Sequence, residues 1–242
     1  MKKTFGFLIS IIIWELVAFL VDNSVFPYLH DILMYIWDKG IEGYGIHVVY
    51  SLCRMLLGLS LTLLVSLCLG LLGFYHSSIR KFVDRVTYMY YPIPKMALLP
   101  IVLMIFGLSE MTKIFMIFLI SFFPVMINIR DAIDLIPKDI LDLFESLGAS
   151  PKDLIKKVII PSCLPAVFTS LRISVGIALS VLFFTENFGT SYGLGYMIMN
   201  AWMRIDYIAM YVGIILISTM GVVIYLLLDQ LNKKFCPWLF RR

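Results

Sequence analysis

Charge is scarce in this sequence. Asp, Glu, Lys and Arg make up only 15% of its 242 residues, while hydrophobic residues make up 61%. A soluble domain carries about 25% charged and about 45–50% apolar residues, so a soluble globular chain, a disordered chain and a nucleic-acid-binding domain are excluded. Cysteine is scarce as well. Cys53, Cys68, Cys163 and Cys236 form no CxxC pair and no metal-ligand spacing, which excludes a disulfide scaffold and leaves them as small apolar filler. His30, His47 and His76 lie far apart and make no HExxH pair, so no metal site is expected. No glycine is followed by lysine, which rules out a GxxxxGK[ST] phosphate loop and any nucleotide chemistry by this chain. No activated nucleophile or paired catalytic acid stands out either, so no catalytic residue is assigned.

What the sequence has is long apolar runs, with a mean hydropathy of +0.94. Six stretches, near 5–21, 47–74, 86–107, 112–129, 163–184 and 207–230, have the length of membrane spans, which need about 20 residues each. The first follows Lys2 and Lys3, but Trp14 and Glu15 interrupt it and no small-x-small cleavage site follows. It reads as a retained span. The third carries Pro92, Pro94 and Pro100 and must be kinked or partly unwound, which membranes tolerate only in a protein interior or along a cavity.

The net charge of +4 is mild, and the positions of the charges matter more. Even-numbered spans put both termini on one side. That side holds Lys2, Lys3, Arg80, Lys81, Arg85, Arg130, Lys138, Lys152, Lys156, Lys157, Lys233, Lys234, Arg241 and Arg242, which is 14 of the 20 basic residues. The opposite loops hold Lys39, Lys113 and Arg204, so both termini are expected in the cytoplasm. Segment 22–46 is then external, with Pro27 opening a short helix along the membrane. Arg54 and Lys95 are placed to snorkel or to work inside the spans. Arg172 points back to the cytoplasmic edge, and Glu15 pairs with a base or faces a cavity. The Tyr88, Tyr90 and Tyr91 cluster reads as an interfacial aromatic belt.

Segment 130–162 is the one long cytoplasmic connection. Ile140, Leu143, Phe144 and Leu147 share a helical face, with Asp139, Asp142 and Glu145 towards the other. Gly148 sits where a helix ends in a left-handed residue. Ser150, Pro151 and Asp153 are an N-cap, a first-turn proline and a capping-box acid. Leu154, Ile155, Val158 and Ile159 form the next apolar face, which Pro161 is expected to end. Two amphipathic helices joined by a tight turn make either a plain connector or a knob that docks into a soluble partner.

Here the chain resembles a known family. The stretch is similar to the EAA loop of binding-protein-dependent ABC importer permeases, with Asp142, Leu143, Phe144, Gly148, Ile160 and Pro161 at the motif positions. Asp142 keeps the acid of the pattern, and Leu143 and Phe144 replace its two alanines. Thr185 to Ile198, with Glu186, Gly189, Gly193, Leu194, Gly195 and Tyr196 matching, resembles permeases of the sulfonate/taurine/nitrate group. Ile93 to Pro100 with Phe106-Gly107, and Ser51-Leu52, Arg54 and Gly58, keep the same order along the chain.

The resemblance implies an all-α, polytopic type I importer permease in a bacterial inner membrane. It has a first span and external segment over 1–46, and a five-span core over 47–238 with the EAA-like loop at 138–161. It also implies a homodimer, two cytoplasmic ATPases that hold ATP and magnesium, and an extracytoplasmic solute-binding protein. No cofactor belongs to this chain itself. ATPase coupling falls on Asp142, Leu143, Phe144, Leu147, Gly148, Ala149, Ser150 and Pro161. Candidates for the translocation path or its gate are Glu186, Gly193, Gly195, Tyr196, Pro94, Pro100 and Arg54, the alternative for Glu186 being a structural cap on its turn. The implied cargo is a small organic anion such as a sulfonate or taurine, or nitrate, with a vitamin precursor as the alternative. An ion-coupled secondary transporter is the runner-up, but no paired broken helices or inverted repeat support it.

Overall fold

A computed structural model describes residues 2–21, 25–39 and 43–240, and the described residues are helical with no strand. Arg241 and Arg242 of the basic set lie outside them, as do parts of the external segment at 22–24 and 40–42. Helix α1 spans Lys2–Val21, α2 Leu29–Lys39, α3 Gly45–Tyr75 and α4 Ser77–Tyr90. A 3-10 turn at Lys95–Leu98 leads into α5, Leu99–Phe106, and α6 follows at Glu110–Asp134. Next come α7, Lys138–Ser146, and α8, Pro151–Leu154, which runs through a π turn at Ile155–Ile159 into α9, Ile160–Thr185. The chain closes with α10, Leu194–Met203, and α11, Tyr207–Phe235.

Four continuous helical stretches are long and apolar enough to cross a membrane: α3, α6, Pro151–Thr185 and α11. The proline-bearing third stretch falls on α4 and α5, a pair bent by 92° that makes either a broken span or a re-entrant loop. The kink expected from Pro92, Pro94 and Pro100 is therefore a near right angle. The first apolar run, 5–21, lies within the single helix α1.

The residues divide into two compact units, Met1–Leu52 with Glu186–Met220, and Cys53–Thr185 with Gly221–Arg242. In the second unit, α3 approaches α6 closely. A Cβ on Gly58 would lie 2.6 Å from the Ile117 side chain, and one on Gly70 2.9 Å from Ile129. Small residues let helix backbones meet where lipid provides no hydrophobic drive. The core of this unit joins Val125, Ile129 and Ile133 of α6 to Val158, Ile159, Cys163, Val167 and Leu171.

Two expectations need correction. Pro161 does not end the second cytoplasmic helix. The amide of Ile160 bonds back five residues to the Ile155 carbonyl, and this wider turn just before Pro161 carries the helix past a residue that cannot donate. Lys113 is no loop residue: it sits in α6 and is 1% exposed, its ammonium donating to the Ser109 carbonyl at 3.2 Å. Helix α10 was not foreseen at all.

Candidate functional site

The hairpin of α7 and α8 is built as its sequence requires. Gly148 has φ +73°, its N–H donates to the Glu145 carbonyl at 2.9 Å, and the Ala149 N–H reaches the Phe144 carbonyl at 3.0 Å. This paired arrangement closes α7 and reverses the chain. The Ser150 side chain then accepts from the Asp153 N–H at 3.2 Å and donates to Asp153 Oδ2 at 2.6 Å, while Lys157 reaches Asp153 Oδ1 at 2.7 Å. The adjoining Lys157 first, and then Ser150, hold the Asp153 carboxyl down at about 2.

The apolar residues of α7 do not share one environment. Phe144 packs inward with Leu141, Leu154 and Ile155 against the α6–α9 core. Ile140, Leu143 and Leu147 face out, 41%, 55% and 75% exposed. Asp142 and Gly148 are exposed, Ala149 is half-buried, and Pro161 lies within the continuing helix. The hairpin is thus pinned to the core on one side and presents an apolar ridge flanked by acids on the other.

A second constellation lies in the first unit. Glu186, fully buried, accepts from the Ser51 hydroxyl at 2.7 Å on Oε1 and from the Gly195 N–H at 2.8 Å on Oε2. Ser51 Oγ in turn accepts the Leu194 N–H at 2.8 Å. The carboxylate therefore pins the first turn of α10 to the start of α3, at the glycine-rich turn where Gly193 takes φ +139°. His47 Nδ1 lies 3.0 Å from both the amide nitrogen and the carbonyl oxygen of Gly193. Tyr196 receives a hydrogen bond from Asn200 Nδ2 at 3.2 Å.

Three basic residues of the second unit that fall within the apolar runs have partners. Arg54, 2% exposed, meets Glu110 at the start of α6; burial with a carboxylate replaces the snorkelling expected as one alternative. Arg172 pairs with Asp229 at 2.8 Å. Lys95 donates to the Tyr91 carbonyl and lies 4.8 Å from the centre of the Phe123 ring. In the first unit, Glu15 accepts the Leu29 N–H at 3.0 Å and so caps α2. Pro94 precedes the 3-10 turn, and Pro100 occupies the first turn of α5. Among the described residues no group of three or more His, Cys, Asp or Glu side chains could hold a metal. Sequence reasoning missed Glu110 and Asp229, although an arginine inside a span is itself a signal to look for a carboxylate.

Residues 63–236 match the family described as "Binding-protein-dependent transport system inner membrane component". The formylaminopyrimidine transport permease ThiX of Halalkalibacterium halodurans is 27% identical over 98% of this chain and 96% of its own length. The taurine transport system permease TauC of Escherichia coli is 30% identical over 79% of this chain and 70% of its own. Among solved structures, the MetNI methionine ABC transporter in an inward-facing form aligns with a TM-score of 0.65. That match covers 84% of this chain and 97% of the other at 17% identity, a likeness of fold.

Proposed function

From the chain's membership of the family of binding-protein-dependent inner membrane transport components, a multi-pass permease subunit of an ABC importer for small solutes, we propose that α7 and α8 are where the motor docks. Two cytoplasmic ATPases, each carrying ATP and magnesium, would seat on the exposed ridge of Ile140, Leu143 and Leu147. Two copies of this chain would form the path between them, with both termini in the cytoplasm and a binding protein delivering solute from outside. The basic-residue asymmetry supports that orientation. Closure of the ATPases on ATP biases the permease between inward- and outward-open states through the rigid hairpin, as coupling through a two-state element requires.

The observation that carries this reading is the split face of α7: one side sunk into the α6–α9 core, the other apolar and exposed. Leu143→Asp and Leu147→Asp test it, because both side chains already face solvent and their loss leaves the core intact. Both variants should reach the membrane at normal abundance, lose co-purification with the ATPase and stop ATP-driven uptake. Unchanged co-purification of both would place docking elsewhere. The named relatives carry taurine in one case and formylaminopyrimidine in the other, so kinship alone leaves an organic anion and a vitamin precursor both standing as cargo.

A further inference from the structure

The first unit encloses an open cleft of about 460 Å³ that the docking hairpin and the Glu186 tie do not use. It is lined by Tyr35 of α2, Tyr44 and His47 around the start of α3, Tyr196 and Asn200 of α10, and Asp206 in the turn before α11. Its volume lies within the range of about 300–1,000 Å³ typical of small-molecule sites, and polar groups converge on it from separate elements.

The side chains define what such a cleft accepts. Four are aromatic rings. Those of His47 and Tyr196 lie within 12° of parallel, their centres 6.2 Å apart. Asn200 holds Tyr196 through its amide nitrogen, which leaves its carbonyl oxygen as an acceptor. Asp206 spends Oδ1 on the Ala209 N–H at 3.1 Å, and Oδ2 has no partner among the described residues. The Tyr44 phenol is pushed up to about 12, first by burial, then by Tyr35 beside it and the Asp206 carboxylate. It stays protonated at neutral pH and feels negative charge across the cleft.

An inorganic anion or a sulfonate needs several N–H donors converging on one point. Here the one arginine, Arg204, is exposed, and the half-buried charge is a carboxylate. Rings, an acceptor amide and a carboxylate oxygen instead match a flat ring that carries N–H donors.

We propose that this cleft is a solute subsite of the permease for a planar, amino-bearing nitrogen heterocycle of the aminopyrimidine class. Asp206 Oδ2 accepts from the exocyclic amine, the Asn200 carbonyl takes a second N–H, and the Tyr and His rings pack on the ring face. The inference rests on the permease reading and narrows its cargo.

The test uses the full chain in lipid nanodiscs, with 4-amino-5-hydroxymethyl-2-methylpyrimidine as probe and saturation-transfer NMR as readout. The probe should bind, and neither taurine nor nitrate should displace it at about ten times its concentration. Asp206→Asn keeps the cap on α11, since asparagine caps as well as aspartate, yet it should weaken binding about tenfold or more. Tyr196→Leu should weaken it independently by removing a ring face. No saturation at about 10 mM probe, a concentration that reveals even weak sites, displacement by taurine or nitrate, or equal binding by both variants overturns the assignment. ATPase co-purification, measured on the same preparations, separates the two readings. A chain that binds the ATPase but not the probe loses only the cargo, and one that binds no ATPase loses the coupling reading whatever it does with the probe.

Discussion

Arg54 and Glu110, 56 residues apart, meet as a two-point ion pair, with Nε 2.5 Å from Oε2 and Nη2 2.7 Å from Oε1. The guanidinium is 2% exposed and the carboxylate 50% exposed. The pair ties the third turn of α3 to the first turn of α6, within the unit where Gly58 already brings those helices together. Its planar fork gives the contact a fixed geometry that a lysine could not reproduce.

Glu110 supplies the carboxylate that meets this buried cation. Glu110→Ala should therefore destabilise the protein by about 1–3 kcal/mol, less than a fully buried pair because one partner is half in solvent. Replacing both residues, Arg54→Met with Glu110→Leu, should recover most of that loss, since the buried guanidinium leaves together with its carboxylate. Thermal unfolding of the single and double variants in nanodiscs measures the coupling. A double variant no better than Glu110→Ala would show that the pair does not act as a unit.

The Glu186 tie makes a separate prediction. Glu186→Ala strands the Ser51 hydroxyl and the Gly195 N–H in a buried site, costing about 2–6 kcal/mol at about 1–3 kcal/mol for each lost partner. Hydrogen exchange at residues 194–197 should speed up selectively, because those amides start α10. Glu186→Gln keeps one acceptor oxygen and should fall between. Fast exchange spread evenly over the chain, with no excess at α10, would mean the carboxylate is not the local clasp.

The hairpin was legible in the sequence because its signals are local. A glycine at the turn, Ser-Pro-x-Asp behind it and a periodic apolar face all lie within 24 residues, 138–161, and each has one physical reading. Pro161 misled for the same reason: taken alone, a proline stops a helix, and only the π turn before it shows otherwise. The ion pairs were out of reach because the partners of Arg54 and Arg172 stand 56 and 57 positions away (110 − 54 and 229 − 172). Three prolines announced a break in the third span but could not give its 92°. The division of α7 into an inward and an outward apolar side depends on where α6 and α9 pass, which no pattern within α7 contains.

Asp153 gives the hairpin a defined response to acid. Its pKa is lowered from 3.8 to about 2, by Lys157 first and by Ser150 after it. A depressed carboxylate contributes stability above its unfolded pKa, and that contribution is lost as pH falls through the folded value. The cap should therefore be intact at pH 4 and above and fade between about 4 and 2. Carboxyl-carbon NMR should find Asp153 still ionised at pH 3, where an unperturbed aspartate is mostly protonated. In Lys157→Ala the titration should move back towards 3.8. An Asp153 that titrates at the ordinary value in the wild-type chain would remove the Lys157 contact from the account.

Gly148 concentrates the coupling argument in one residue. Its φ of +73° lies in the left-handed region, and a Cβ built there meets nothing within 4 Å. Any cost of substitution is therefore backbone strain rather than a clash. Asn tolerates this conformation and should be nearly neutral, Ala should cost about 1 kcal/mol, and the β-branched Val about 2 kcal/mol or more. That strain falls on the hydrogen bonds from Gly148 to Glu145 and from Ala149 to Phe144, which set the angle between α7 and α8. The spans lie outside the turn, so Gly148→Val should insert and assemble at normal abundance. Uptake should fall in the order Asn, Ala, Val, while ATP hydrolysis either weakens with ATPase binding or continues without transport. Wild-type transport and ATPase stimulation in Gly148→Val would reduce this hairpin to a connector, and the docking proposal would have to be abandoned.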